Sequence, residues 1–198
     1  MSRLKVAVLV ILSFTSAGLR GEVMVNDDLG RPVQLEQPAS RIVSLAPHLT
    51  EIVFAAGAGD KLVGVVSYSD YPPAALEIPV IGSYNNINYE ALVALQPDLV
   101  LVWNSGNGPE LAERLQGLGL NVFVSEPKRL PDIARSLNKI GTLSGTMPVA
   151  EQAAANYLSR YQALKVDNSN KAQVKVFIEL WHEPMMTVNG THIISDSI

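Results

Sequence analysis

Four polar side chains in the N-terminal half have the types needed for acyl transfer: Ser44, His48, Ser67 and Asp70 offer two hydroxyls, an imidazole and a carboxylate. A serine hydrolase presents its nucleophile on a sharp strand-to-helix turn, marked by Gly-x-Ser-x-Gly. Neither serine stands in that motif, and no cysteine is present to replace it. The denser pattern is one of contact rather than reaction. Between Arg41 and Asn107, short apolar runs end repeatedly on rings and small polar groups: Ile42-Val43-Ser44-Leu45-Ala46-Pro47-His48, Ser67-Tyr68-Ser69-Asp70-Tyr71-Pro72-Pro73, Ser83-Tyr84-Asn85-Asn86 and Leu99-Val100-Leu101-Val102-Trp103-Asn104. If each run is a strand, its last residues gather at one edge of a sheet, which is where open α/β sheets bind ligands. Pro47 and His48 add a second resource, because they fall at the start of a helix, whose first amides are free to meet acceptors.

The spacing of apolar residues and helix signals predicts the elements that bring these groups together. Glu22 to Asn26 and Pro32 to Leu35 flank Asp27-Asp28-Leu29-Gly30 as a hairpin, Gly30 accepting a positive φ. Strands are predicted at Ile42–Leu45, Lys61–Val66, Leu99–Trp103 and Asn121–Val124. Helices are predicted at Thr50–Ala56, at Tyr89–Leu95 behind an Asn88 cap, from Pro109 to about Gln116, and from Pro131 to about Leu143. That alternation implies an α/β fold whose mostly parallel sheet is covered by helices on both faces.

Past Pro148 the rhythm changes. Val149, Ala153, Tyr157, Leu158, Tyr161 and Leu164 fall on one helical stripe, predicting a long helix with no strand interrupting it. A polar stretch, Asp167 to Lys171, separates it from a second α/β pattern: a strand at Val174–Leu180, the loop Trp181-His182-Glu183-Pro184, a turn at Asn189-Gly190 and a helix opening at Ser195. The chain therefore divides into residues 1–21, a first lobe at 22–146, a connecting helix at 147–167 and the start of a second lobe at 168–198, which is incomplete.

Ser2-Arg3-Leu4-Lys5, the apolar stretch Val6 to Phe14 and the small residues Thr15-Ser16-Ala17-Gly18 read as a cleaved secretory signal peptide, with cleavage between Ala17 and Gly21. The expected location is periplasmic. Removing residues 1–21 takes away Arg3, Lys5 and Arg20 and no acid, leaving 12 basic against 19 acidic residues and a formal charge of −7. An acidic chain without a basic stripe argues against nucleic acid as a partner. With no cysteine there is no disulfide framework and no thiolate metal site.

Taken in order, the hairpin, the Arg-Ile-Val-Ser-Leu-Ala-Pro segment, the Tyr-Ser-Asp-Tyr-Pro-Pro loop, the Leu-Gln-Pro-Asp-Leu-Val-Leu-Val-Trp strand and the long helix resemble the helical-backbone class of periplasmic substrate-binding proteins. Within that class the likeness is to the cobalamin-binding proteins of vitamin B12 ABC importers, carried chiefly by Ser67-Tyr68-Ser69-Asp70-Tyr71-Pro72-Pro73, with Trp103 and the Pro-Met-Met-Thr-Val-Asn-Gly run from Pro184 in support. The resemblance implies two α/β lobes joined by one long helix, the second truncated here. It also implies a non-catalytic, monomeric carrier that captures cobalamin or a related corrinoid as transported ligand and delivers it to an inner-membrane ABC permease.

A corrinoid is broad, largely apolar and fringed with amides, so its pocket wants flat aromatic faces and main-chain or small polar partners. The implied ligand-binding residues are Tyr68, Tyr84, Trp103, Pro47 and His48 from the first lobe, with Trp181 and Met186 facing them from the second. Glu90 falls where the resemblance implies an exposed carboxylate that docks onto arginines of the permease, although a carboxylate in the first turn after Asn88 also serves the helix dipole. The alternatives are a haem or ferric-siderophore carrier of the same fold and, remotely, a secreted serine hydrolase using the groups named first. No arginine cluster accompanies Tyr68 and Tyr84, which counts against an anionic siderophore.

Overall fold

The computed structural model describes residues 21–198; the predicted signal peptide lies, but for Gly21, outside the described residues. Four strands form the central sheet: β3 (Ile42–Ser44), β4 (Leu62–Val65), β7 (Leu99–Trp103) and β8 (Val122–Ser125). They lie in the order β4-β3-β7-β8, and all three pairings are parallel. Helices α1 (Pro47–Ala55), α2 (Tyr89–Ala94), the short α3 (Asn104–Asn107), α4 (Glu110–Gly117) and α5 (Leu130–Ser144) fill the connections. The predicted hairpin is present as β1 (Val23–Asn26) and β2 (Pro32–Leu35), with Gly30 at φ +80°. A second small hairpin, β5 (Gly82–Ser83) with β6 (Asn86–Ile87), is not legible in the sequence, because two-residue strands leave no alternation to read.

Parallel strands alternate their side chains between two faces, and here both faces are dry. Ile42, Leu99, Leu101 and Phe123 join one buried cluster with α1 and α5 residues such as Val53 and Ile140; Val43, Val100, Val102, Val122 and Val124 join another with Leu92 of α2 and Leu115 of α4. That is why Leu99-Val100-Leu101-Val102 reads as an unbroken apolar run rather than an alternating one. Burying those four side chains contributes about 1.5–3 kcal/mol each. One strand thus supplies as much as the net stability of a whole domain, about 5–15 kcal/mol, so the sheet interior decides the fold.

Polar contacts fix the margins. Asp28 accepts hydrogen bonds from the Glu126 amide at 2.8 Å and from Lys139 Nζ at 2.7 Å, which pins the β1–β2 turn to the end of β8. Asp98 accepts from the Ser40 and Arg41 amides at 2.8 and 3.0 Å, while the Arg41 guanidinium donates to the Leu95 carbonyl at the end of α2. Within the same turn the Asp27 carboxylate is paired with Arg31 Nε at 2.9 Å.

The long helix is α6 (Met147–Asn168), as expected, but its buried stripe differs from the predicted one. Ala150 and Ala154 are buried, with Ala153 and Tyr157 packed against the core, whereas Val149, Leu158 and Leu164 are exposed. Small residues win because α5 comes very close: a Cβ built on Gly141 would stand 2.3 Å from the Ala150 Cβ. Past Tyr157 the helix runs out beyond the core and its side chains face solvent.

The expected strand Val174–Leu180 is not formed. A strand exists only as a pairing, and among the described residues no strand pairs with this one; it touches the following segment only at its end, where the Leu180 amide donates to the Met186 carbonyl at 2.9 Å and Thr187 Oγ1 to the Ile178 carbonyl at 2.8 Å, and it stays mostly exposed. The next residues make a turn closed by a single bridge between Trp181 and Met186. The predicted helix opening at Ser195 is one 3-10 turn, Ser195–Ser197. Asp196 there accepts a hydrogen bond from the Leu130 amide at 2.7 Å, tying the end of the chain to the start of α5.

The close α5–α6 crossing predicts opposite outcomes for two glycines. Gly141→Ala forces the helices apart and lowers stability by about 1–3 kcal/mol. Gly117→Ala, at the last residue of α4 where a Cβ meets nothing within 4 Å, raises it by about 0.5 kcal/mol or less, a terminal position gaining only part of the interior helix propensity. Denaturant melts of the two variants check both signs.

Candidate functional site

In a doubly wound sheet the connections change direction where the strand order reverses, and a crevice opens there at the carboxyl ends of the strands. The chain goes from β3 outward to β4, then crosses back to β7 on the other side of β3, so the reversal lies between β3 and β7. The residues after those two strands are Leu45-Ala46-Pro47-His48 and Asn104-Ser105-Gly106-Asn107. Two of the sequence-predicted groups meet there. The His48 and Trp103 rings stand edge to face, with centroids 5.1 Å apart and planes at 85°.

Each partner is held for a local reason. Pro47 occupies the first turn of α1, where its missing N–H costs nothing, and Ala46 before it is extended at φ −150°, ψ 144°. The N-cap residue offers no side-chain cap, Pro47 has no N–H and the Leu49 amide donates to the Ala46 carbonyl at 3.1 Å, so the His48 amide is the one in this turn left to meet an acceptor. On the other side, the Trp103 ring lies against the backbone of α3: a Cβ on Gly106 would stand 1.9 Å from the ring. Glycine at that position lets the indole lie flat.

Asn107 joins the two walls to a third segment. Its Oδ1 accepts from the Trp103 amide at 2.7 Å, and its Nδ2 donates to the Leu45 carbonyl at 2.9 Å and to the Tyr84 carbonyl at 2.6 Å. Tyr84, on the β5–β6 turn, is thereby brought beside the crevice with its side chain exposed. An open groove of about 200 Å³ runs along this side, its lining including Tyr84, Ile87, Tyr89, Asn107 and Arg114. The Arg114 guanidinium donates to the Tyr89 hydroxyl at 3.2 Å, and Glu90 is exposed on the first turn of α2 beside it. Asn88 caps that helix as expected, accepting from the Ala91 amide at 3.0 Å.

Tyr68 is placed by a buried hydroxyl cluster. Thr50 Oγ1 reaches Ser44 Oγ at 3.0 Å and Ser69 Oγ at 3.2 Å, and Ser44 in turn donates to the Ala46 carbonyl at 3.0 Å. This cluster ties the loop after β4 to the β3–α1 turn. Tyr68 sits on that loop at φ +68° with 82% of its surface exposed. A left-handed backbone costs a non-glycine residue on the order of 1 kcal/mol, and here it turns a large ring outward instead of into the core.

The hydrolase grouping is not assembled. Ser44 spends its hydroxyl inside the buried cluster, Ser67 donates to the Gly82 carbonyl at 3.0 Å, and His48 packs on Trp103 with its buried Nε2 unpaired. Trp181 and Met186 are exposed and joined to each other across their bridge, with no hydrogen bond or ring contact to the first-lobe group among the described residues. The sequence reading missed Asn107, whose Asn-Ser-Gly-Asn-Gly context looks like a bare loop, and the Thr50–Ser69 link, which spans segments nothing in the sequence joins.

The periplasmic binding protein family matches residues 42–193. The chain belongs to that family. Among curated relatives, the vitamin B12-binding protein of Vibrio cholerae is 39% identical over 155 residues, covering 78% of this chain and 56% of that protein. The vitamin B12-binding protein of Yersinia pestis is 35% identical over 162 residues, covering 82% and 58%. The crystal structure of the periplasmic vitamin B12-binding protein BtuF of Vibrio cholerae superposes with a TM-score of 0.76 at 39% identity, over 80% of this chain and 62% of that one. A periplasmic haem-binding protein from Pseudomonas aeruginosa superposes less well, with a TM-score of 0.59 at 31% identity, over 68% and 50%. The chain thus spans a little over half the length of the curated relatives it matches.

Burial lowers the His48 imidazole from its ordinary 6.5 to about 4, so it is neutral across the physiological range. The unfolded chain still binds the proton near 6.5. Stability is therefore intact above that pH and is lost as pH falls towards 4, by roughly 3 kcal/mol in all. His48→Gln should remove that part of the acid destabilisation in denaturant melts at pH 7 and pH 4.5. An equal acid loss in both proteins would mean that the ring is solvated.

Proposed function

We propose that this chain provides one wall of a periplasmic carrier that captures cobalamin or a related corrinoid and delivers it to an inner-membrane ABC permease. The observation that carries the reading is the edge-to-face pair His48–Trp103 at the β3/β7 reversal, with Tyr84 tied beside it and Tyr68 turned outward next to it. A broad macrocycle needs this kind of surface: rings for contact area, and the His48 amide in the first turn of α1 for its amide fringe. The names and identities of the Vibrio and Yersinia relatives support cobalamin as the ligand.

In this reading Tyr68, Tyr84, Trp103, Pro47 and His48 contact the ligand from the first lobe, and Trp181 and Met186 from the segment after α6. Met186 suits such a role because a thioether chain adapts to an irregular surface. The carrier acts as a monomer and needs no catalytic group, since capture and release are its whole task. Glu90 is the docking carboxylate: exposed, near the groove and away from the sheet interior, it can orient the chain on a basic permease surface and speed encounter.

Haem is the comparator that the same fold suggests, and the Pseudomonas neighbour keeps it in view. An axial ligand must be reachable: His48 Nε2 is buried beside Trp103, so haem would have to take its axial ligand from an exposed tyrosine such as Tyr68. Calorimetric titration of the chain, at protein concentrations high enough to register a weak complex, should give saturable binding of cobalamin and none of haem. Replacing Trp103 and Tyr84 together with alanine should weaken it by several kcal/mol, the range of aromatic anchors in pockets, about 2–4 kcal/mol apiece. Binding of haem alone, or of neither, removes the cobalamin assignment.

Glu90→Ala should leave cobalamin affinity unchanged and slow association with permease-containing vesicles, most strongly at low salt. Lost ligand affinity would instead place Glu90 in the pocket.

A further inference from the structure

We infer that Asn107 is the positioning residue of this site, a three-way clamp that fixes Trp103, Tyr84 and the β3–α1 turn as one preformed wall and so sets affinity without having to touch the ligand. The inference rests on the carrier reading above for its consequence and on geometry alone for the clamp.

The three segments come from distant parts of the sequence. Leu45 follows β3, Tyr84 sits on the β5–β6 turn and Trp103 ends β7; the carboxamide of Asn107 is bonded to all three, at 2.9, 2.6 and 2.7 Å. A primary amide has one carbonyl and two N–H groups. Here the carbonyl and the NH₂ group are both used on main-chain atoms. No other common side chain of this length fits: aspartate lacks the donors, leucine lacks everything, and serine cannot span the gaps.

The main-chain targets matter because each controls a side chain at the crevice. Fixing the Trp103 amide fixes the start of the turn on which its indole lies, between Gly106 and His48. Fixing the Tyr84 carbonyl holds the tip of a two-residue-strand hairpin whose base is already held by the Ser67 amide and hydroxyl on the Gly82 carbonyl, at 2.8 and 3.0 Å. Groups already ordered do not lose that freedom again on binding, and such preorganisation raises affinity mainly by slowing release.

Two substitutions separate the arms. Asn107→Asp keeps the acceptor for Trp103 and removes both donors; Asn107→Ala removes all three contacts. In the ligand-free chain, hydrogen exchange should show residues 82–87 loosened in both variants, but the Trp103 amide unprotected only in the alanine variant. In the wild type, the Asn107 Nδ2 hydrogens should exchange slowly by NMR, a measurement that depends on no variant folding. Unchanged exchange in the variants, or fast exchange of those hydrogens in the wild type, overturns the clamp.

The binding arm reads cobalamin. Asn107→Asp should weaken affinity about tenfold, through faster release, and this loss should shrink when Tyr84 is already alanine, because both changes remove the same ordered ring. A residue that only stabilised the fold would lower Tm and leave the affinity of the folded fraction alone, with losses that add; that result overturns the positioning role. A wild-type chain that binds no cobalamin removes the carrier reading, and the exchange pattern then decides the clamp on its own.

Discussion

Every feature of the site depends on four strands being parallel. Parallel pairing sends all four carboxyl ends to one edge, so the segments after β3, β4, β7 and β8 must gather there whatever their sequence. The reversal between β3 and β7 then parts two of those segments and leaves a crevice. What the sequence adds is the filling: Pro47 and His48 on one side, Trp103 and Gly106 on the other. The dry faces of the sheet make this arrangement rigid, since a shift of one strand would drag apolar side chains through two packed clusters at once.

Rigidity at the edge is reinforced by small polar groups used sparingly. The Ser44–Thr50–Ser69 cluster and the Asn107 amide both satisfy buried or half-buried polar atoms by joining segments that are remote in sequence. A satisfied network of this kind specifies geometry more than it adds stability. It leaves the chemistry of the surface simple: exposed rings, one amide at the start of α1 and a histidine held neutral by burial. Such a surface can hold a ligand and release it unchanged, which is what a carrier requires.

Much of the first lobe was legible in the sequence because its signals are local. Continuous apolar runs marked β3, β4, β7 and β8, and Asn88 and Pro131 marked helix starts through rules of capping and first-turn proline. The stripe on α6 was misread because periodicity says which residues share a face, not which face is pressed against a neighbour; the Gly141–Ala150 approach chose the alanines. Val174–Leu180 was misread for a related reason. Its β-branched composition suits a strand, but a strand needs a partner, and composition cannot supply one. At the site, ring-bearing positions could be named from sequence, whereas Asn107 could not, since its importance lies wholly in which carbonyls the fold places within its reach.

Mapping amide chemical-shift changes by NMR as cobalamin is added would show where the ligand meets this chain. For binding at the carboxyl edge between β3 and β7, the perturbed amides cluster at residues 46–49, 67–70, 83–86 and 103–107, with α5 and the outer half of α6 silent. Perturbations centred on α5 and α6, or confined to residues 179–186, would contradict binding at that edge.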